Sequence, residues 1–130
     1  MNIGEASKQS GVSAKMIRYY EEIELIPRIA RTYSGYRSYA DADIHRLRFI
    51  RRARDLGFSV PEIQELLGLW DDRSRKSKDV RRLAKSHIEG LEQRIDEMQA
   101  LVDILRNLIR NCAGDNRPDC PILADLERAN

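Results

Sequence analysis

The stretch Gly11–Pro27, GVSAKMIRYYEEIELIP, decides the fold. Met16, Ile17, Tyr20 and Ile23 recur at helical spacing, so one face of the segment is apolar. Ser13 stands ahead of the run as a good N-cap. Pro27 ends the element after Leu25, because proline has no amide hydrogen and clashes with the preceding turn. Upstream, Met1–Ser10 reads as a short helix with Ile3, Ala6 and Ser7 inward, stopped by Gly11. Two short helices joined by a glycine turn within about 25 residues form the helix-turn-helix pattern.

Downstream, RIARTYSGYRSY changes character. Ser34-Gly35 is a turn signal, and Thr32, Tyr33, Tyr36 and Tyr39 suit strands, which predicts a small hairpin or wing. Asp41 is expected to cap a helix carrying Ile44, Leu47, Ile50 and Leu56, ended by Gly57. Ser59-Val60-Pro61-Glu62 opens another, with serine at the N-cap, proline in the first turn and glutamate nearby; it carries Ile63, Leu66 and Leu67. Residues 71–79, DDRSRKSKD, read as a polar joint.

The segment after the joint is the most regular of all. Ala84, Ile88, Leu91, Ile95, Met98, Val102, Leu105 and Ile109 alternate steps of four and three, an a/d seam. Covering each such Leu or Ile contributes roughly 1.5–3 kcal/mol, so a bare stripe would be costly. The seam predicts a dimer; the alternative is a stripe folded back on the front domain. The seam alone does not set parallel or antiparallel pairing.

Composition bounds the rest. At 130 residues the chain is one small domain, or one with an attached helix. Twenty-three basic and 21 acidic residues nearly cancel, yet their placement is uneven. Lys8–Arg54 holds 11 basic residues against five acidic ones, whereas Cys112 onward holds two against four. All five tyrosines lie between Tyr19 and Tyr39, inside the basic stretch. A basic front with aromatic side chains suits a polyanion, though a solvated face with tyrosines in a small core has the same composition. On the second helix Ser13, Lys15, Arg18 and Tyr19 lie away from the apolar face, and in the wing Arg31, Tyr36 and Arg37 can straddle a sugar-phosphate backbone. Arg18 suits guanine or phosphate, and Ser13 and Lys15 suit phosphate or base edges.

Several classes are excluded. No apolar run approaches the roughly 18 residues of a membrane span and no basic-then-apolar leader opens the chain, so a soluble, cytoplasmic protein without membrane partners is expected. Two cysteines cannot build a disulfide scaffold or fill a four-cysteine site. An enzyme is not expected: no Cys/His pair, carboxylate pair or phosphate-binding glycine loop stands at a useful spacing.

Those two cysteines, Cys112 and Cys120, enclose AGDNRPD directly after the long helix. Gly114, Asp115, Asn116 and Pro118 make a tight loop, and Ile122, Leu123 and Leu126 suggest a short helix over it. Two thiolates on a short loop suit a soft metal. Zinc wants four ligands, and His45 and His87 are remote in sequence. Cu(I) is satisfied by two thiolates in line. The pair with its ion carries one net negative charge, which backbone N–H groups or a cation must offset. Spacing alone leaves open two unrelated thiols, a disulfide, or a redox switch.

The start MNIGEASKQSGVSAKMIRYYEEIELI, the wing SGYRSY and DADIHRLRFIRRARDLGFSVPEIQELL resemble the MerR family of transcription regulators. The resemblance spans the chain and implies a mainly α fold: a winged helix-turn-helix DNA-binding domain over residues 1–70, a joint at 71–79, a dimerisation helix at 80–111 pairing as an antiparallel coiled coil, and a metal-binding loop with a short C-terminal helix at 112–130. It implies a homodimer on double-stranded promoter DNA whose −35 and −10 elements are too far apart, realigned for RNA polymerase when an effector makes the dimer bend and untwist the DNA. It places Lys15, Arg18, Tyr19, Arg31, Tyr36 and Arg37 at the family's DNA-contact positions. NCAGDNRPDCPI resembles the metal loop of the copper-efflux regulators, the CueR and HmrR type, with Cys112 and Cys120 at matching positions. Relatives sensing divalent ions carry cysteine near the start of the long helix; here Ser77 stands there as a selectivity residue and not a ligand. Ala113 departs from a frequent proline without removing a ligand. The expectation is a transcriptional activator of copper-efflux or resistance genes, binding one Cu(I), or Ag(I) or Au(I), per protomer. The alternatives are a thiol redox sensor on the same scaffold and a small copper chaperone or buffer.

Overall fold

The computed structural model describes residues 1–29, 31, 35 and 37–128. Among them are six helices: α1 (Ile3–Ser10), α2 (Ala14–Glu22), α3 (Asp41–Asp55), α4 (Val60–Asp71), α5 (Ser77–Arg110) and α6 (Pro121–Glu127). The chain divides into two units, Met1–Leu83 and Ala84–Asn130.

In the first unit, local chemistry fixes where each helix starts and stops. The Asn2 side chain accepts from the Glu5 amide at 2.8 Å and opens α1. Gly11 closes it in the left-handed region at φ 75, with its N–H on the Ser7 carbonyl. The Arg51 side chain lies against Gly11 where a Cβ would project, so both conformation and space call for glycine there. Ser13 caps α2 through the Met16 amide. This helix stops at Glu22, earlier than the proline suggests, because Glu24 turns left-handed (φ 60) and the Leu25 and Ile26 amides fold back onto the Tyr20 carbonyl. Asp41 is not the cap of α3. Ala40 holds that position, and the Asp43 carboxylate accepts from its amide at 2.8 Å. Ser59 and Glu62 form a reciprocal capping box at the start of α4, with Pro61 in the first turn.

Helices α1, α2, α3 and α4 share one core built on Ala6, Ile17, Tyr20, Ile26, Tyr39, Leu47, Ile50 and Ile63. On α1 the buried pair is Ala6 and Ser10, while Ile3 and Ser7 are half-buried. The Ser10 hydroxyl takes the Val12 amide, which satisfies both inside the turn. Leu56, expected inward, lies past the end of α3 and is 48% exposed; Ala53 occupies the inward position instead. Arg48 donates twice to the Gln9 carbonyl and ties α3 to the end of α1. Arg46 grips Asp71 at 2.7 and 2.9 Å and ties α3 to the end of α4.

No strand occurs among the described residues. Where a hairpin is expected, there is one antiparallel bridge between Arg31 and Arg37, with Gly35 between them at φ 85. Thr32, Tyr33, Ser34 and Tyr36 lie outside the described residues. Because α4 runs through Asp71 and α5 begins at Ser77, the residues between them are only 72–76. There the Asp72 carboxylate takes both the Ser74 hydroxyl and amide, which hold it below the usual carboxylate range.

In the second unit, α5 continues unbroken to Arg110 and buries none of its residues. Ile88, Ile95, Met98, Val102, Leu105 and Ile109 are all at least 39% exposed, and so are Leu101 and Ile104 beside them. The Asn111 and Cys112 amides still bond back to α5, Gly114 then turns the chain left-handed, and α6 follows from Pro121.

Candidate nucleic-acid interface and thiol site

The 3.6-residue period gives α2 two distinct faces. Ile17 and Tyr20 are buried, whereas Lys15, Arg18 and Tyr19 are exposed. The Tyr19 ring leans on Tyr20 with centroids 5.9 Å apart and planes at 52°, so an exposed aromatic is braced by a core one. Ser13 is committed as a cap through its oxygen and keeps its O–H to donate.

Arg18 joins Arg31 and Arg37 in lining one open cleft between α2 and the segment after it. Of the residues singled out from sequence, these three are brought together there. Ser13, Lys15 and Tyr19 do not line the cleft, and Tyr36 lies outside the described residues. Arg28 also lines it, so four guanidinium groups face Glu21, Glu22 and Glu24. Sequence reasoning counted Arg28 only as charge; its place just after the Pro27 turn was the available signal. Arg31 donates to the Gly35 carbonyl at 3.1 Å. Arg37 donates through Nε to Glu21 at 2.9 Å, with both side chains mostly covered.

A second basic hollow lies beside the α1–α2 turn, lined by Lys8, Arg48, Arg51 and Arg52 with Asp55. These residues too entered the sequence reading only through their charge.

Cys112 and Cys120 are half-buried thiols at the two ends of the loop between α5 and α6. Within that loop, Asp115 takes the Arg117 amide at 3.0 Å and its Nε at 2.7 Å, which tightens the turn. Cys120 occupies the N-cap of α6. Its thiol is lowered below the ordinary range, first by the Leu123 amide, which outweighs the opposing effect of burial, and then to a lesser degree by the Ile122 amide and the Cys112 side chain. The loop therefore sets one thiol at each of its ends, with Cys120 at the N-terminus of α6. Among the described residues no group of three or more His, Cys, Asp or Glu side chains is placed to ring a metal ion. The pair is a two-donor, all-sulfur set whose charge is partly offset by amides, a donor chemistry that fits a soft ion of low coordination number. Ser77 is the first residue of α5 and is exposed.

The thiolate is the reactive form of cysteine. In the metal-free protein, Cys120 is expected to alkylate with a pH midpoint below that of a free cysteine. Iodoacetamide labelling read by peptide mass between about pH 6 and 9 checks this. A midpoint at or above the free-thiol value would show that the amides do not act on the sulfur.

Comparison with known proteins places this geometry. The family model for MerR HTH family regulatory proteins matches residues 1–69, and that described as MerR, DNA binding matches residues 44–108. The heavy metal-dependent transcription regulator 2 of Rhizobium meliloti (strain 1021) is 60% identical over 126 residues, covering 97% of this chain and 86% of the relative. The HTH-type transcriptional regulator CueR of Escherichia coli O6:H1 (strain CFT073) is 38% identical, covering 97% and 93%. Among solved structures, the transcription regulator PbrR691 from Ralstonia metallidurans CH34 in complex with lead(II) aligns with a TM-score of 0.84 at 33% identity, covering 97% of this chain and 98% of that one.

Proposed function

The chain belongs to the MerR family of HTH regulatory proteins, and on that footing we propose that it is a Cu(I)-responsive transcriptional activator that binds promoter DNA as a homodimer. The observation that carries the metal assignment is the Cys112–Cys120 pair, two half-buried thiols at the two ends of one short loop with no third donor grouped with them among the described residues. Cys112 and Cys120 would hold the ion, which would supply a soft Lewis acid for the two sulfur donors. Zinc or lead would want further ligands. The position near the start of α5, where the resemblance puts cysteine in divalent-ion sensors, holds Ser77, a hard oxygen donor. A relative named for heavy-metal dependence and another solved with lead(II) support metal response as the general role.

The residues of the chain itself supply the rest. The Leu123 amide, and after it the Ile122 amide, favour negative charge at Cys120 and hold its thiol below the ordinary range. On the DNA side, Lys15, Arg18 and Tyr19 form the exposed face of α2 that would enter the major groove, with Ser13 at its N-terminus. Arg31 and Arg37, with Arg28, would take the flanking phosphates, and Tyr36 is assigned to the same wing. Phosphate contacts of this kind hold the protein on a deformed duplex, and sequence-dependent stiffness then contributes to specificity. No helix among the described residues is long and apolar enough to cross a membrane.

Transcription in vitro by RNA polymerase from a bound promoter, compared with Cu(I), Ag(I), Au(I), Zn(II) and oxidant, tests the assignment. Activation is expected with the monovalent ions, at one ion per protomer, and not with Zn(II). Activation by Zn(II) alone would overturn the two-thiolate reading. Activation by oxidant without metal, with a Cys112–Cys120 disulfide, would replace it by the thiol redox sensor.

A further inference from the structure

We infer that Glu21 is a positioning residue for DNA recognition, its carboxylate clamping both ends of the Ile29–Arg37 segment onto α2. The inference rests on the DNA-binding reading above and adds a residue that carries no DNA-contact role itself. One carboxylate oxygen accepts from Arg37 Nε at 2.9 Å, and the other accepts from the Ile29 amide at 3.4 Å. Those partners lie at the far and near ends of the segment, and the Arg31–Arg37 bridge joins its two limbs. One side chain of α2 thus holds the segment at both ends, one turn beyond Arg18. Glu21 keeps only 13% of its side-chain surface exposed and Arg37 28%, so the pair is far better shielded than an ordinary surface ion pair. A further sign comes from the core side. The buried Tyr39 phenol has no hydrogen-bond partner among the described residues and is pushed upward first by burial and then by the Glu21 charge, so the carboxylate also acts on the core beneath the cleft.

The position makes the role unusual. Glu21 lines the same cleft as Arg18, Arg31 and Arg37, with Glu22 and Glu24 beside it, and a carboxylate there would by its charge repel phosphate. If Glu21 were only a charge near the DNA, its removal would strengthen binding. If it is a clamp, its removal weakens binding despite the gain in positive charge, because Arg31 and Arg37 are no longer delivered to the backbone. The two roles predict opposite signs.

The test uses the full-length chain and a duplex that the wild-type protein selects from a random-sequence library, with affinity measured across a salt series. Glu21→Gln is expected to weaken binding about tenfold and to flatten the log–log salt dependence by about one unit, the signature of one lost phosphate contact. It should also add little to Arg37→Gln in the double variant, since both remove the same link. Equal or tighter binding by Glu21→Gln with an unchanged or steeper slope would overturn the clamp. So would a fall in melting temperature with unchanged affinity and slope. If Glu21→Gln does not fold, Glu21→Asp decides the matter, since it keeps the charge and shortens the reach: weaker binding with a flatter slope supports the clamp, and wild-type behaviour overturns it. Failure of the wild-type chain to select any duplex would instead count against the DNA-binding reading itself.

Discussion

Exchange of Cys120 for serine is expected to abolish the transcriptional response to Cu(I) while operator affinity stays within about twofold of the parent, as for independent sites. The donor set explains the size of the first effect. With two sulfurs and no third His, Cys, Asp or Glu grouped with them among the described residues, loss of one donor halves the site. Loss of an outer partner of a metal ligand already costs about 10- to 100-fold, so loss of one of two ligands should exceed that range. Serine keeps the shape of the side chain but offers a hard hydroxyl that stays protonated. Cys112→Ser should behave in the same way. The second half of the prediction follows from placement: Cys112 and Cys120 belong to the unit Ala84–Asn130, whereas Arg18, Arg31 and Arg37 belong to Met1–Leu83. Transcription in vitro with a Cu(I) titration, alongside a gel mobility shift on the same promoter, measures both halves. Loss of DNA binding in both serine variants would count against a dedicated effector loop. A full Cu(I) response in either would place the ligands elsewhere.

The helical frame was legible from the sequence because its signals are local. Periodicity at Met16, Ile17 and Tyr20, the Ser13 cap and the Ser59–Glu62 box act within four residues, and each is found in the structure. The errors also have local causes. Asp41 has cap chemistry, but the Asp43 carboxylate reaches back to Ala40 and moves the boundary by one residue. The end of α2 was set by Glu24, a non-glycine residue in a left-handed conformation that no local rule favours. The site was harder to read. Arg18, Arg31 and Arg37 were singled out separately, but their common cleft depends on contacts 16 residues apart, and the Glu21–Arg37 pair leaves no trace in local spacing. For the cysteines, spacing gave the candidate donors. The effect of the α6 amides on the Cys120 thiol required the loop and α6 in place.

Replacement of Ile95 by aspartate is expected to convert the protein to monomers and to lower operator affinity at least about 100-fold. The long helix exposes a stripe of apolar side chains that nothing in its own unit covers, with Ile95 62% and Met98 64% exposed. Full burial of each such side chain contributes roughly 1.5–3 kcal/mol, which makes a second copy of the same stripe a favourable cover. Ile95 and Met98 flank the centre of the Ala84–Ile109 seam. In the antiparallel pairing that the family resemblance implies, the centre of one helix meets the centre of its copy. One substitution therefore places two carboxylates near each other in the middle of an apolar seam, where neither finds a partner, and such burial is strongly unfavourable. DNA affinity falls with the dimer because two linked heads on one site gain about 10²- to 10⁴-fold over a single head. Sedimentation equilibrium reports the mass, circular dichroism confirms that the front unit stays folded, and a mobility shift reports the affinity. The same change at Gln93, on the face of α5 opposite the seam and exposed, serves as the matched control and should leave the dimer intact. A dimeric Ile95→Asp protein with parental DNA affinity would mean that the seam is not the dimer contact and that its apolar face is covered in another way.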